Sequence, residues 1–550
     1  MFDFLKPSIE EIGIGPSYNW ELPLDAAPQA SGEIKRIWYI ALPISSAHRG
    51  GHSGGGALID GAGNQDRYQN EGTVYPHCAL VEMITYHQAC FPDIGWRYLD
   101  LSHESWIDVK QEIRDSPPDI AAFSVYTSTA IWAYIVAAEI KASNPDAMVI
   151  FGNDHASLLH REILLGAIGS RLVDFVGLGN NGPFTLMNLI YYFRGQIEIE
   201  RVPSIAYRNQ NRLVVQNSPT YPLDRRLLAD YRHIEPYLAL HYDPAFDIWY
   251  SHHYDLKRMV TLAIDGGCNW GSDPKRRCKH CAIQGLTPKT AAVTTIINSF
   301  EMLVGGLNSN IYAAGDSTLG FSSNQWKGDT DFLDRIAESC AHSRVLNGKR
   351  FLLAYGLVSE FLKAANLCKG FVRTWNVGIE SFDPALLAND SKGINREKDH
   401  ILHALDLARN LNYRIYASGI LGLPGTTLAS LKEEVNNWIR LTEDFQDILT
   451  TVSVALPAII PGSRIYWDLL QRDVQMKGLH SELIPCRRLT ELFIERNTEV
   501  SPADIRSALQ DLGRSVVLSS SVKFGGYMMG GIDEEEKLER ALLKDAMRRL

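Results

Sequence analysis

The sequence predicts an α/β chain built as a doubly wound parallel sheet, then a partial parallel barrel, then a helical tail. Three observations carry this. From Lys35 to Leu223, short apolar runs alternate with helix-like stretches. A second alternating series starts at Met259. From Ile465 the chain turns helix-rich, with a charged run at Asp533–Lys537 near its end. Strands that alternate with helices imply parallel strands joined by crossover helices.

In the first series, Ile34–Leu42 reads as the opening strand. The Gly-rich segment that follows (Gly50 to Gly63) lacks the G-x-x-x-x-G-K-[ST] pattern, so it is not a nucleotide-phosphate loop and reads as a lid or an excursion. A helix is expected over His77–Cys90, and strands over Trp96–Asp100, Ile120–Val125, Ala147–Phe151 and Val173–Gly177, with a helix through Ile131–Ser143. Ser124–Ser128, Gly152–Ala156 and Gly177–Gly182 then fall at the strand carboxyl ends, where doubly wound sheets bind ligands. These loops are small and Gly-rich, which lets backbone approach a ligand closely and also suits plain turns. Asp224–Lys257 has Tyr, His and Pro without periodicity and reads as a connection packed across the crevice.

In the second series, strands are expected at 259–265, 310–314, 350–355, 373–377, 414–421 and 449–455, with helices notably at Asp329–Ser343 and Asp399–Leu411. Six such units suggest a partial barrel with its chemistry at the C-terminal strand ends. The expected organisation is an extension (1–34), the doubly wound domain (35–223), the connection (224–257), the barrel (258–464) and the helical region (465–550), which caps the barrel or mediates assembly.

Composition narrows the function. At 550 residues the chain exceeds one hydrophobic core, while 45% apolar and 21% charged residues are ordinary for a globular protein. A net charge of −10 argues against a nucleic-acid-binding surface. No apolar run of about 18 residues predicts a membrane span. The N-terminus lacks signal-peptide features, and eight cysteines are too few for a disulfide scaffold, so a reducing cytoplasm is expected.

Cys268, Cys278 and Cys281 lie directly after the first strand of the second series, spaced C-x9-C-x2-C. Soft thiolates suit an iron–sulfur cube held at three corners, with one iron open to substrate. They also suit a closed zinc site, with His280, His252 or His253 as fourth ligand. Cys78, Cys90, Cys340, Cys368 and Cys486 have no ligand-like spacing and are expected to be buried or inert.

Over roughly 35–470 the chain resembles the cobalamin-binding radical S-adenosylmethionine (SAM) enzymes. The first half resembles their Rossmann-like cobalamin domain through Pro118-Asp-Ile-Ala-Ala-Phe-Ser-Val-Tyr-Thr127, Asn144-Pro-Asp146, Phe151-Gly-Asn-Asp-His-Ala-Ser157, Val173-Asp-Phe-Val-Gly-Leu-Gly179 and the closing Val202-Pro-Ser-Ile-Ala-Tyr-Arg208. The second resembles the radical SAM barrel through the cysteine loop, Val377-Gly-Ile-Glu-Ser381, Gly419-Ile-Leu-Gly-Leu-Pro-Gly-Thr-Thr427 and Leu456-Pro-Ala-Ile-Ile-Pro-Gly-Ser463. Gly267-Cys-Asn-Trp-Gly271 is similar to members that mature ribosomally made peptides.

The resemblance implies a 4Fe–4S cluster on Cys268, Cys278 and Cys281, whose open iron chelates SAM. It implies SAM contacts from Gly315, Asp316, Ser317, Glu380, Ser381, Gly419, Gly422 and Gly425. It implies cobalamin contacts from Ser124, Tyr126, Thr127, Gly152, His155, Gly177 and Gly179, with His155 either a lower cobalt ligand or a loop hydrogen-bonding residue. The sequence departs from the family in its longer first cysteine spacing, in His280 before the third cysteine, in Asn180 after Gly179, and in having no D-x-H-x-x-G. The implied reaction is reductive cleavage of SAM to a 5′-deoxyadenosyl radical, fed by a flavodoxin- or ferredoxin-type donor. An unactivated carbon of a small-molecule or peptide substrate is then modified, with C-methylation from methylcobalamin foremost. A non-methylating rearrangement, cyclisation or oxidation is the near alternative, and a zinc-stabilised binding protein the one of another class.

Overall fold

The computed structural model describes residues 33–43, 57–58, 76–102, 104–179, 182–209, 212–216, 227–241, 255–266, 279, 289–314, 331–390, 398–457, 459–484, 486–526 and 533–550. The first sheet has seven strands, ordered Gly95–Asp100, Arg36–Ala41, Ile120–Ser124, Met148–Gly152, Phe175–Gly177, Ile205–Asn209 and Arg212–Gln216. The first five run parallel, and the last two form an antiparallel hairpin on the edge. Every residue of Ile120–Ser124 is buried, as expected of a central parallel strand covered on both faces. Helix Cys78–Cys90 packs on Gly182–Phe193, and Trp106–Asp115 packs on Ala130–Ser143. The winding reverses between Arg36–Ala41 and Ile120–Ser124, so the ligand crevice of this topology opens at their carboxyl ends.

The second sheet holds more than six units. Met259–Ala263, Asn310–Ala314, Leu352–Leu357, Val372–Glu380, Arg414–Ile420 and Leu449–Ala455 are parallel neighbours, as the alternation predicts. Lys523–Gly526, inside the region read as helical, adds a seventh parallel strand. Ala57–Leu58, inside the segment read as a lid or an excursion, pairs antiparallel with it and closes that edge. Both are too short to display alternation; their partners define them.

Helix Ala130–Ser143 (AIWAYIVAAEIKAS) is apolar nearly all round, the pattern of a helix covered on every side. Its cover is the chain's last helix, Asp533–Arg548. Trp132 Nε1 donates to Glu539 Oε1 at 3.0 Å, and Arg549 pairs with the buried Glu139. The C-terminal region therefore lies on the first domain as well as beside the barrel. Between the sheets, Leu227 N donates to Tyr86 Oη (2.8 Å), Asp230 N donates to Thr85 Oγ1 (2.9 Å), and the Tyr231 hydroxyl donates to the Thr261 carbonyl. These bonds tie helix Cys78–Cys90 to the barrel's first strand. Among the described residues no helix is long and apolar enough to cross a membrane.

Candidate active site

At the winding reversal, three successive strand ends are stitched together by small side chains. Ser124 Oγ lies 3.0 Å from His77 Nε2 and accepts from Asn153 Nδ2 at 2.9 Å. Ser157 Oγ donates to the Asn153 carbonyl (2.8 Å) and accepts from Gly179 N (2.9 Å). One serine thus links the loop after Met148–Gly152 to the loop after Phe175–Gly177. Asn153 (φ 77°) and Gly179 (φ 62°) both take left-handed backbone, which glycine adopts freely and asparagine tolerates. Tyr126 projects from this surface, 38% exposed, with its ring 5.5 Å from that of His77.

His155 is buried with both ring nitrogens engaged. Nδ1 is 3.0 Å from Thr127 Oγ1, and Nε2 is 3.3 Å from the Glu482 carbonyl. Ligating a metal would cost it one of these bonds. Glu482 docks on the same domain, its carboxylate accepting from Ile168 N (3.0 Å) and Gly169 N (2.8 Å), while burial pushes its carboxyl up. Nothing in the sequence marks His77 beyond its place at the start of the expected helix; in the structure it occupies the N-cap position of helix Cys78–Cys90. Burial pushes its imidazole down to about 4, so it is neutral at physiological pH.

The second constellation sits at the C-terminal ends of the barrel strands. Val372–Glu380 ends in a bulge, with Glu380 buried at φ 68°. A Cβ on Gly378 would lie 2.9 Å from Glu380 Oε1 and 3.5 Å from Tyr355 Oη, so the glycine makes room for the folded-back carboxylate. Next comes a tight turn held from outside. Glu434 Oε1, on helix Leu428–Phe445, accepts from Ser381 Oγ (2.5 Å), Phe382 N (2.8 Å) and Asp383 N (2.9 Å). Burial pushes the Glu434 carboxyl up to about 7 against these three bonds, and the charge of Asp383 pushes the same way.

The same helix packs on the neighbouring strand end. A Cβ on Gly419 would run into the indole of the fully buried Trp438, with Cε2 and Cη2 both at 3.0 Å. Gly419→Ala is therefore expected to cost about 1–3 kcal/mol by overpacking, read as a lowered unfolding midpoint. Gly422 and Gly425 both take φ 90°. This loop is clasped by the C-terminal region: Gly425 N donates to the Asn497 carbonyl (2.8 Å) and Glu499 N to the Thr426 carbonyl (2.9 Å).

Cys268, Cys278, Cys281, Gly315, Asp316 and Ser317 lie outside the described residues. The base of the cysteine segment is described. Asp265–Gly266 pairs antiparallel with Lys289–Thr290 in a small two-stranded sheet of its own, so the two ends of the segment lie side by side directly after the first barrel strand. Lys279, between Cys278 and Cys281, accepts from Ile465 N at 2.9 Å, at the start of the helix after the Leu449–Ala455 strand and its exit. Of the other cysteines, Cys340 and Cys368 are buried and their thiols raised by burial, that of Cys340 to about 12. Cys78 is half-buried, and Cys90 is exposed rather than buried.

No family model matches the sequence, and no curated protein matches it. Solved structures do. The chain is similar to a radical SAM methyltransferase, TsrM, from Kitasatospora setae, solved with cobalamin and a [4Fe-4S] cluster bound (TM-score 0.55, 13% identity, 94% of this chain and 100% of that one). The same enzyme with tryptophan substrate and a SAM analogue gives TM-score 0.54 at 14% identity, over 79% of this chain and 76% of that one. The cobalamin-dependent SAM radical enzyme OxsB, with aqua-cobalamin and SAM bound, gives TM-score 0.57 at 14% identity over 86% of this chain, which spans 66% of its length. Two wound sheets in this order, with both constellations at strand carboxyl ends, give this chain the fold of the cobalamin-dependent radical SAM enzymes.

Proposed function

We propose that this chain is a cobalamin-dependent radical SAM enzyme that modifies, foremost by C-methylation, an unactivated carbon of a small-molecule or peptide substrate. The Lys279–Ile465 bond carries the reading, because it ties the cysteine segment to the rim where Glu380 and the Gly419–Gly425 turn also end. When bound, the cluster supplies the electron that splits SAM reductively, and the cobalamin supplies a transferable methyl group.

The residues fit these groups. Three thiolates in one segment suit a cluster with one iron left open, where SAM would bind. Glu380 offers a carboxylate to ribose hydroxyls at a strand end. The turn through Gly422 and Gly425, both at φ 90°, would present backbone rather than side chains to the adenine. In the first domain, Ser124, Gly152 and Gly177 end adjacent strands, and their small side chains would leave room for a flat macrocycle, with Tyr126 exposed on the same surface. His155 holds Thr127 in place, and neutral His77 holds Ser124. An external one-electron donor of the flavodoxin or ferredoxin type completes the scheme.

Metal analysis after anaerobic reconstitution tests this directly. About four irons with matching sulfide per chain are expected, together with a corrin absorbance that survives gel filtration. One zinc per chain and no iron overturns the reading.

A further inference from the structure

Glu434 has no place among the cofactor contacts above, yet its carboxylate is buried and engaged at one turn. It is 3% exposed, and Oε1 alone takes the Ser381 hydroxyl and the Phe382 and Asp383 amides. Oε2 has no hydrogen-bond partner among the described residues, so the group serves this one turn. An acceptor at such a turn does for the chain what a capping side chain does at a helix start: it satisfies successive amides that would otherwise be buried unpaired. The turn is further fixed by Asp383 N donating to Ser381 Oγ (3.0 Å) and Ser381 N to the Ile379 carbonyl (2.9 Å).

The residue just before this turn, Glu380, holds φ 68°, a conformation that persists in a side-chain-bearing residue only where its surroundings impose it. Below it the chain is anchored by the sheet; above it the anchor is Glu434. The same helix sets Trp438 against Gly419 and edge-on to Phe382, ring centroids 5.1 Å apart. One helix face thus braces both strand ends that the proposed SAM site uses.

We infer that Glu434 is a positioning residue for SAM: by fixing the Ser381–Asp383 turn it holds Glu380 in its left-handed conformation, with the carboxylate folded over Gly378 at the rim. The inference rests on the reading of Glu380 and Ser381 as SAM contacts.

The test compares Glu434→Ala and Glu434→Gln with wild type in the reconstituted holoenzyme, by equilibrium dialysis of SAM, corrin retention, and hydrogen exchange at the Phe382 and Asp383 amides. In Glu434→Ala, SAM affinity is expected to fall about 10- to 100-fold, the range of lost supporting contacts around a ligand shell. The two amides lose protection and corrin retention is unchanged. Glu434→Gln keeps an oxygen acceptor in place, so it should restore the protection and return affinity to within a few-fold of wild type, which a loss of general stability would not do. Wild-type SAM affinity in Glu434→Ala with both amides deprotected overturns the inference alone. Equal weakening of SAM and corrin binding also overturns it. If Glu434→Ala does not fold, Glu434→Asp takes its place: one methylene shorter, it should weaken SAM binding, and unchanged affinity overturns the inference. Wild-type protein that carries its cluster and binds no SAM overturns the functional reading, and this inference with it.

Discussion

Cys278→Ala is expected to abolish 5′-deoxyadenosine formation while leaving the protein folded. In the proposed set of three thiolate ligands, removal of one would leave two for four irons. The loss should exceed the roughly 10- to 100-fold drop that follows from removing a group merely supporting a metal ligand. The fold should survive because the segment is held by backbone at its described residues: the Asp265–Gly266 pairing with Lys289–Thr290, and the Lys279 carbonyl that accepts from Ile465 N. Far-ultraviolet circular dichroism and the unfolding midpoint should match wild type, while iron content and SAM cleavage collapse together. Undiminished 5′-deoxyadenosine in the variant would remove Cys278 from the ligand set.

Truncation before Asp533 is expected to be the most damaging change to stability. It strips the cover from Ala130–Ser143, removes the buried Leu543 and Ala546, and takes away the partners of Trp132 and of the buried Glu139. Among the described residues, Glu139 then keeps Lys110, at 3.0 Å, as its one cation. Burying one large aliphatic side chain is worth about 1.5–3 kcal/mol, and exposing the apolar helix face adds to that. A loss of about 3–6 kcal/mol, a large part of a domain's net stability, follows from these contacts together. The readouts are a lowered unfolding midpoint and dye binding to newly exposed apolar surface. A truncated protein as stable as the full chain would mean the helix is not needed as cover.

How far the sequence discloses this architecture depends on the length of each signal. Five parallel strands of the first sheet and six of the second announce themselves as apolar runs between helices, and their carboxyl-end loops stand out by small residues. Lys523–Gly526 and Ala57–Leu58 carry no such signal, since four and two residues cannot display a period and pairing alone makes them strands. The same logic hides His77, Glu434 and Glu482. An acid on an amphipathic helix or after a helix end reads as solvated. Only the folded chain brings Glu434 to the Ser381–Asp383 turn, or Glu482 to the amides of Ile168 and Gly169. The apolar girth of Ala130–Ser143 does signal that something covers it, but not that the cover is the last helix of the chain.

The pairing of Leu58 with Gly525 brings two segments far apart in the sequence side by side. During synthesis on a ribosome, this edge of the barrel sheet must wait for Lys523–Gly526 to emerge before Ala57–Leu58 has its partner, and contacts so distant in sequence form slowly. For the same reason the two halves do not come apart as independent modules: an excised C-terminal half would leave Lys523–Gly526 as a bare strand edge, open to pairing with other molecules.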